Sequence, residues 1–399
     1  MLSDSSRPYI TASVPVLREH GLAIARTFYD QLFAVHPELK NLFNMGNQAS
    51  GTQQTALSGA LLAYAANIDR AADLKPVIAR IAHKHASVGV LPAHYPIVAR
   101  HLLAAIKNVL KAAATPELLA AWDEAYWLLA GELIAAEARL YERATVEAGA
   151  LRSLRVARVE RESDTVVSYY LTDDAARSPG HFEPGQYVSV SVELPGDGLR
   201  QLRQYSLSDA PSRPHWRITV KSEQGATASQ RGRVSNYLHD HVREGDQLLV
   251  SQPFGSFTPL MAAESARPIA LLSAGVGITP LVATLNALAE SGTRRSVLFA
   301  HAARAPHHQL FGSELTAASA RLPALRSALF YESDAPRAAQ AGRMHWDIAA
   351  LGEFKAADFY LCGPLAFMQE QWRELIALGI SPLRIEREVF GPELFERLA

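Results

Sequence analysis

A single cysteine, Cys362, is all the thiol that 399 residues contain, so no disulfide can close within the chain and a reducing, cytoplasmic setting is expected. Excess charge is missing too: 39 Lys and Arg stand against 40 Asp and Glu. Residues 1–147 hold 13 of each, so neither part presents the basic field that a nucleic acid or an anionic membrane would require. No run of 18 apolar residues occurs, which argues against a membrane-spanning helix. The opening residues have no basic stretch leading into a long apolar core, so no secretory signal is expected. Low-complexity tracts and internal repeats are absent. What remains is an ordinary folded composition, 48% hydrophobic, on a chain too long for one core, and two or three domains are the natural reading.

The hydrophobic period changes twice along the chain. Up to about residue 147 it is helical. Val14, Leu17, Gly21, Ile24, Phe28 and Leu32 recur at three- and four-residue steps, as do Leu57, Leu61 and Tyr64, then Ile78, Ile81 and His85. Breaks at Pro37, residues 46–51, Pro76, residues 89–92 and Pro116 predict about seven helices. After an Ala/Gly linker at 144–150, short β-rich runs at 187–192, 216–220 and 247–250 predict an antiparallel barrel. From Pro268 apolar strands at 269–272, 297–300, 328–331 and 359–361 alternate with helices, predicting a parallel α/β sheet. The fold class is therefore multidomain: all-α over 1–147, a β-barrel over 151–262 and an α/β domain over 267–399.

Two segments carry flavin chemistry. Arg203, Gln204, Tyr205 and Ser206 follow one another on a strand, with Tyr187 upstream. A flavin dinucleotide needs a cation for its pyrophosphate, an aromatic face and a hydroxyl near the flavin N5, and Arg-x-Tyr-Ser supplies all three. Gly232 leads through Arg233 into Val234 and Ser235, a glycine turn opening a helix whose free N–H groups suit phosphate. The loop from Lys221 to Val234 completes this side.

A third segment reads as a nucleotide site. A buried strand ends in Gly275-Val276-Gly277, and Thr279 is expected to cap a helix that begins with Pro280. This puts a phosphate-binding terminus at the carboxyl end of a strand. A second strand-end loop carries Cys362 and Gly363. The pair, in this order after Arg-x-Tyr-Ser, resembles the ferredoxin–NADP⁺ reductase superfamily over residues 152–399. That resemblance implies FAD and NAD(P)H as cofactors, places the Cys362–Gly363 loop against the nicotinamide, and makes Phe390, followed by Gly391, the aromatic that covers the flavin. It does not choose NADH over NADPH. Arg304 after the second strand could face a 2′-phosphate, although a solvated arginine is the commoner use.

The helical part holds six histidines: His20, His36, His83, His85, His94 and His101. Composition does not choose among them, but His85 closes the apolar face through Ile78 and Ile81 while His83 falls on the other side. Upstream, the run from His36 to Phe43 resembles the Pro-x-Leu-x-x-x-Phe corner of globins, in which Phe43 wedges the haem. Tyr29 lies one helix earlier; Gln53 and Leu57 lie a turn apart on the next. Jointly, and in this order, these residues resemble the distal pocket of the bacterial flavohaemoglobins, and the match spans the whole chain.

That resemblance implies haem b held through His85 as iron ligand, with Tyr95 and Glu137 behind the imidazole. A carboxylate there raises the donor strength of the ligand. It implies Tyr29 and Gln53 as distal hydrogen-bond donors. It further implies a nitric oxide dioxygenase that converts NO and O₂ to nitrate with electrons passed from NAD(P)H through FAD to haem. Two other readings stay open: an oxygen-binding or sensing globin with a maintenance reductase, and a lipid-hydroperoxide reductase with lipid in the distal pocket. The expected partners are small molecules, and a monomer is the expected state. Two departures from the family stand out: a long loop at 222–233, and Arg387 where a tyrosine often precedes Glu388.

Overall fold

In the computed structural model, residues 2–196, 198–225, 231–259 and 267–391 are described. The helical period is realised first in α1 (Arg7–Val35), whose buried positions Ile10, Leu17, Gly21, Ile24, Phe28 and Leu32 form one stripe. It ends before Pro37, where the corner is a 3-10 helix, Pro37–Leu42. There follow α2 (Met45–Ala49), α3 (Thr52–Ala66), α4 (Ala71–Val88), α5 (His94–Leu110) and α6 (Pro116–Ala144). Among the described residues this stretch thus has six α-helices and two 3-10 turns, where about seven helices were expected. Pro76 is a second correction: α4 runs straight through it. The proline sits near the start of the helix and removes one bond there, while the packed face of Ile78 and Ile81 holds the rest.

The interior of this part divides into two apolar clusters. One contains Phe28, Tyr29 and Leu32, with Phe43 and Leu57 against it. The other contains Ala82, Tyr95 and Leu133, with Ile78 and Ile81 against it. Tyr126 packs on both.

Next come β1 (Leu151–Ser163), β2 (Val166–Thr172), β3 (Tyr187–Glu193), β4 (Arg200–Ser206), β5 (Trp216–Lys221), α7 (Arg233–His241) and β6 (Gln247–Ser251). The strands form one six-stranded sheet ordered β4-β3-β6-β1-β2-β5, with β1–β2 and β2–β5 antiparallel. A parallel sheet follows, built from β7 (Ile269–Ala274), β8 (Val297–Ala303), β9 (Leu325–Tyr331), β10 (Gln340–Ala341), β11 (Asp358–Cys362) and β12 (Ile385–Glu388). Its order is β10-β9-β8-β7-β11-β12, with every pair parallel. The helices α8 (Ile278–Ser291), α9 (Gly312–Arg321), α10 (Ile348–Leu351) and α11 (Leu365–Ala377) belong to it. β7 is buried along its whole length, as a strand covered on both faces must be.

By compactness the residues up to Leu151 group with Ser191–Arg203, whereas Arg152–Val190 and Gln204–Phe390 form a second unit. No described helix is long and apolar enough to cross a membrane.

Candidate functional site

The proximal constellation rests on three helices. His85 sits in the last turn of α4, Tyr95 is the second residue of α5, and Glu137 lies on α6. His85 Nδ1 is 2.8 Å from Glu137 Oε1 and 3.2 Å from the Tyr95 hydroxyl, which itself donates to Glu137 Oε1 at 2.6 Å. Tyr126 in turn donates to the Tyr95 carbonyl at 2.7 Å and steadies the start of α5. Burial and the carboxylate alongside push the Tyr95 hydroxyl far above its usual range, so it remains a donor.

Glu137 is 2% exposed, and its second oxygen has no partner. A buried carboxylate whose neighbours are a neutral phenol and an imidazole is poorly compensated. Positive charge on the imidazole would compensate it, and a cation bound at Nε2 supplies that. That nitrogen makes no hydrogen bond among the described residues, and no group of three metal-binding side chains occurs among them. The donor set therefore suits an iron whose other ligands would come with a prosthetic group, as in haem.

The distal constellation is separate. Tyr29 is buried on α1, its ring edge-on to Phe43 at 5.6 Å and stacked with Phe33 at 5.7 Å. Gln53, near the start of α3, donates through Nε2 to the Tyr29 hydroxyl at 3.4 Å. Leu57, one turn on, packs against the same cluster. Burial pushes the Tyr29 hydroxyl up to about 12, with Gln53 and Gln48 pulling against it. Gln48, on α2, was not legible in the sequence, because a lone glutamine carries no pattern.

At the carboxyl ends of the parallel strands the two expected loops come together. A Cβ on Gly277 would stand 2.3 Å from the Cys362 carbonyl oxygen, and one on Gly363 would stand 3.1 Å from the Ala274 nitrogen. Only glycine permits so close a crossing. Gly275 takes a left-handed turn at φ 53, and Gly275–Gly277 is a 3-10 turn that runs into α8. Here the capping expectation is corrected. Gly277 is the N-cap, so Thr279 and Pro280 are the second and third helical residues, and the Thr279 hydroxyl donates back to the Val276 carbonyl at 3.0 Å. The helix starts early because the glycine turn bends the chain before Pro280 is reached. Cys362 is fully buried, which raises its thiol well above its usual value, with Glu388 of β12 adding to the effect.

Along β4, Arg203 and Tyr205 share one half-buried face, and the alternation puts exposed Gln204 and buried Ser206 on the other. Arg203 donates to the Leu202 carbonyl at 2.7 Å. Tyr187, buried on β3, lies against Gly255. Gly232 is the N-cap of α7, with Val234 buried and the Ser235 hydroxyl donating to the Gly232 carbonyl at 3.3 Å. Lys221 is ion-paired with Glu223 at 2.9 Å. Residues 226–230 of the long loop lie outside the described residues. Phe390 is 48% exposed beside Gly391, and Arg304 is exposed at the end of β8.

Comparison with known proteins covers the same ground. Residues 26–133 match the globin family, 153–258 the oxidoreductase FAD-binding domain and 271–372 the oxidoreductase NAD-binding domain. A flavohemoprotein of Rhizobium meliloti is 42% identical over 99% of this chain and 100% of its own. One from Bordetella parapertussis is 46% identical over 98% and 99%. Among solved structures, a flavohemoglobin from Malassezia yamatoensis with bound FAD and heme superposes with a TM-score of 0.85 at 31% identity, covering 98% of this chain and all of the other. The FAD/NAD-binding domain of a nitric oxide dioxygenase from Vibrio cholerae covers 60% of this chain and 99% of its own, with a TM-score of 0.56 at 35% identity.

Proposed function

The chain belongs to the flavohemoprotein family, and from that premise we propose that it is an NAD(P)H-dependent nitric oxide dioxygenase, converting NO and O₂ to nitrate. The observation that carries the reading is the buried Glu137 held on His85 Nδ1 by a 2.8 Å contact. Such a carboxylate would strengthen an imidazole bound to iron and favour turnover of oxygen over its reversible carriage. The domain assignment we propose is haem over 1–147, FAD over 151–262 and NAD(P)H over 267–399.

Haem and FAD, when bound, would supply the electron chemistry: a flavin that can accept a hydride and an iron that can change by one charge at a time. The side chains bind, orient and exclude water. His85 offers Nε2 to the iron, while Glu137 and Tyr95 fix its ring through Nδ1. Phe43 and Leu57 line the distal side with apolar surface. Tyr29 holds a proton at its hydroxyl, and because that oxygen already accepts from Gln53, the proton is free to face a small ligand. Arg203, Gly232, Val234 and Ser235 take the flavin pyrophosphate, with Lys221 at its rim. Tyr187, Gln204, Tyr205, Ser206 and Phe390 with Gly391 surround the flavin. The turn of Gly275, Val276 and Gly277, with Thr279 and Pro280 behind it, takes the dinucleotide phosphates, and Cys362 with Gly363 meets the nicotinamide.

The test is NO consumption by the purified holoprotein. Nitrogen gives up three electrons on going to nitrate and O₂ takes up four, so the cofactor supplies one, and about two NO disappear per NAD(P)H. Rapid O₂-dependent loss at that ratio, with nitrate as product, is expected. Faster turnover of an alkyl hydroperoxide than of NO would overturn the reading in favour of a peroxide reductase.

A further inference from the structure

Beside Tyr29 lies a second amide that the reading above does not use. Gln48 is buried on α2, a short helix opened by Asn44, whose side chain accepts from the Gly46 and Asn47 amides. Gln54 of α3 donates through Nε2 to the Gln48 backbone carbonyl at 3.2 Å and to Gln48 Oε1 at 3.0 Å. The backbone carbonyl can only accept, so the Gln54 atom that meets it is its nitrogen. That nitrogen must in turn face an oxygen of Gln48, which settles which way the Gln48 amide is turned. Gln48 Nε2 is left buried without a partner. A buried amide donor without an acceptor is costly, and folds rarely keep one without reason. The Gln48 side chain is near enough to Tyr29 to oppose the effect of burial on its hydroxyl.

We infer that Gln48 is a positioning residue of the distal pocket: its Nε2–H closes on the Tyr29 hydroxyl oxygen when a small ligand enters, and so turns the Tyr29 proton onto that ligand. A phenol has one proton and two lone pairs. With Gln53 on one lone pair and Gln48 on the other, no acceptor among the described residues meets the proton. Each bond accepted by the oxygen also strengthens the one it donates. The inference rests on the reading that haem occupies this pocket.

The test uses full-length holoprotein and compares the CO stretching frequency of the ferrous CO complex with the O₂ dissociation rate. The variants are Gln48→Leu, Gln48→Glu, Tyr29→Phe and the double Tyr29→Phe/Gln48→Leu. Gln48→Leu is expected to raise the CO stretch and to speed O₂ loss about three- to tenfold, less than removing the hydroxyl does. Gln48→Glu keeps an acceptor for Gln54 but replaces the free donor by an oxygen that takes the Tyr29 proton. It should bring both readouts to the Tyr29→Phe values. In the double variant both should equal those of Tyr29→Phe alone, because Gln48 acts only through the hydroxyl. A purely structural glutamine would leave the CO stretch unmoved in Gln48→Glu, or would shift it equally with and without the hydroxyl, and either result overturns the inference. Should Gln48→Leu not fold, Gln48→Glu carries the test alone. A wild type without a haem Soret band would overturn the haem reading itself and this inference with it, whereas normal haem with an inert Gln48 overturns the inference only.

Discussion

Replacing Glu137 by Gln changes one atom and one charge, and the consequence can be worked from the contacts. In the wild type a single carboxylate oxygen meets His85 Nδ1 at 2.8 Å and accepts from Tyr95 at 2.6 Å, in a site 2% exposed. A hydrogen bond to a charged group contributes about 1.5–3 kcal/mol and a neutral one about 0.5–1.5, so the variant loses roughly 1–1.5 kcal/mol on the imidazole. The carboxylate makes the imidazole more anionic, which favours ferric over ferrous iron. Its loss should therefore raise the haem midpoint potential, by roughly 40–60 mV at 59 mV per decade for one electron. The amide carbonyl can still accept from Tyr95, so haem should stay bound. Tyr95→Phe should move the potential the other way, because the phenol no longer draws on the carboxylate and its full charge bears on His85. Spectroelectrochemical titration of both variants measures this. An unchanged or lowered potential in Glu137→Gln, or shifts of the same sign in both, would refute the electrostatic role given to Glu137.

Four further outcomes are expected. His85→Ala should yield protein with FAD but little haem and undiminished reduction of a soluble acceptor; a normal haem spectrum would mean that another histidine is the ligand. Tyr29→Phe removes a charge-assisted bond of roughly 1.5–3 kcal/mol, so O₂ dissociation, followed by stopped flow, should speed up about ten- to a hundredfold, and an unchanged rate would take Tyr29 out of the distal chemistry. Gly277→Ala puts a methyl 2.3 Å from the Cys362 carbonyl, so the two strand-end loops must part; flavin reduction by NAD(P)H should slow while FAD content holds, and equal rates would show that the crossing is not needed. His301 on β8 is buried, with Nδ1 2.9 Å from the Ser273 hydroxyl, and burial lowers its pKa to about 4. An unfolded histidine takes up its proton near 6.5, so the stability present above that pH falls as the pH drops towards 4, by up to about 1.4 kcal/mol per unit. Melting curves of wild type and His301→Leu should converge as the pH is lowered through this window, and parallel curves would count against it.

The domain succession was legible because period is a local property. Residues such as Leu17, Gly21, Ile24 and Phe28 repeat at helical steps whatever they pack against, and the parallel strands are continuous apolar runs bounded by turns. The breaks were less legible. Pro76 carries a strong local signal, yet α4 continues through it because packing downstream outweighs one lost bond. The helix start at Gly277 was displaced by two residues, since a 3-10 turn is set by the conformation of Gly275 and the close approach of Cys362.

The sequence by itself determined the order of all-α, antiparallel β and parallel α/β parts, the strand-end glycine loops and the short list of histidines, tyrosines and glutamines from which a site could be drawn. Only the tertiary structure decided how those groups are wired. Glu137 lies 52 residues from His85 and Tyr95 lies 10 from it, yet all three meet through one carboxylate oxygen. Likewise the Gln48 amide is turned by Gln54, which lies on another helix. Propensity and period act over a few residues, whereas the direction of a proton depends on which donors and acceptors packing brings within about 3 Å.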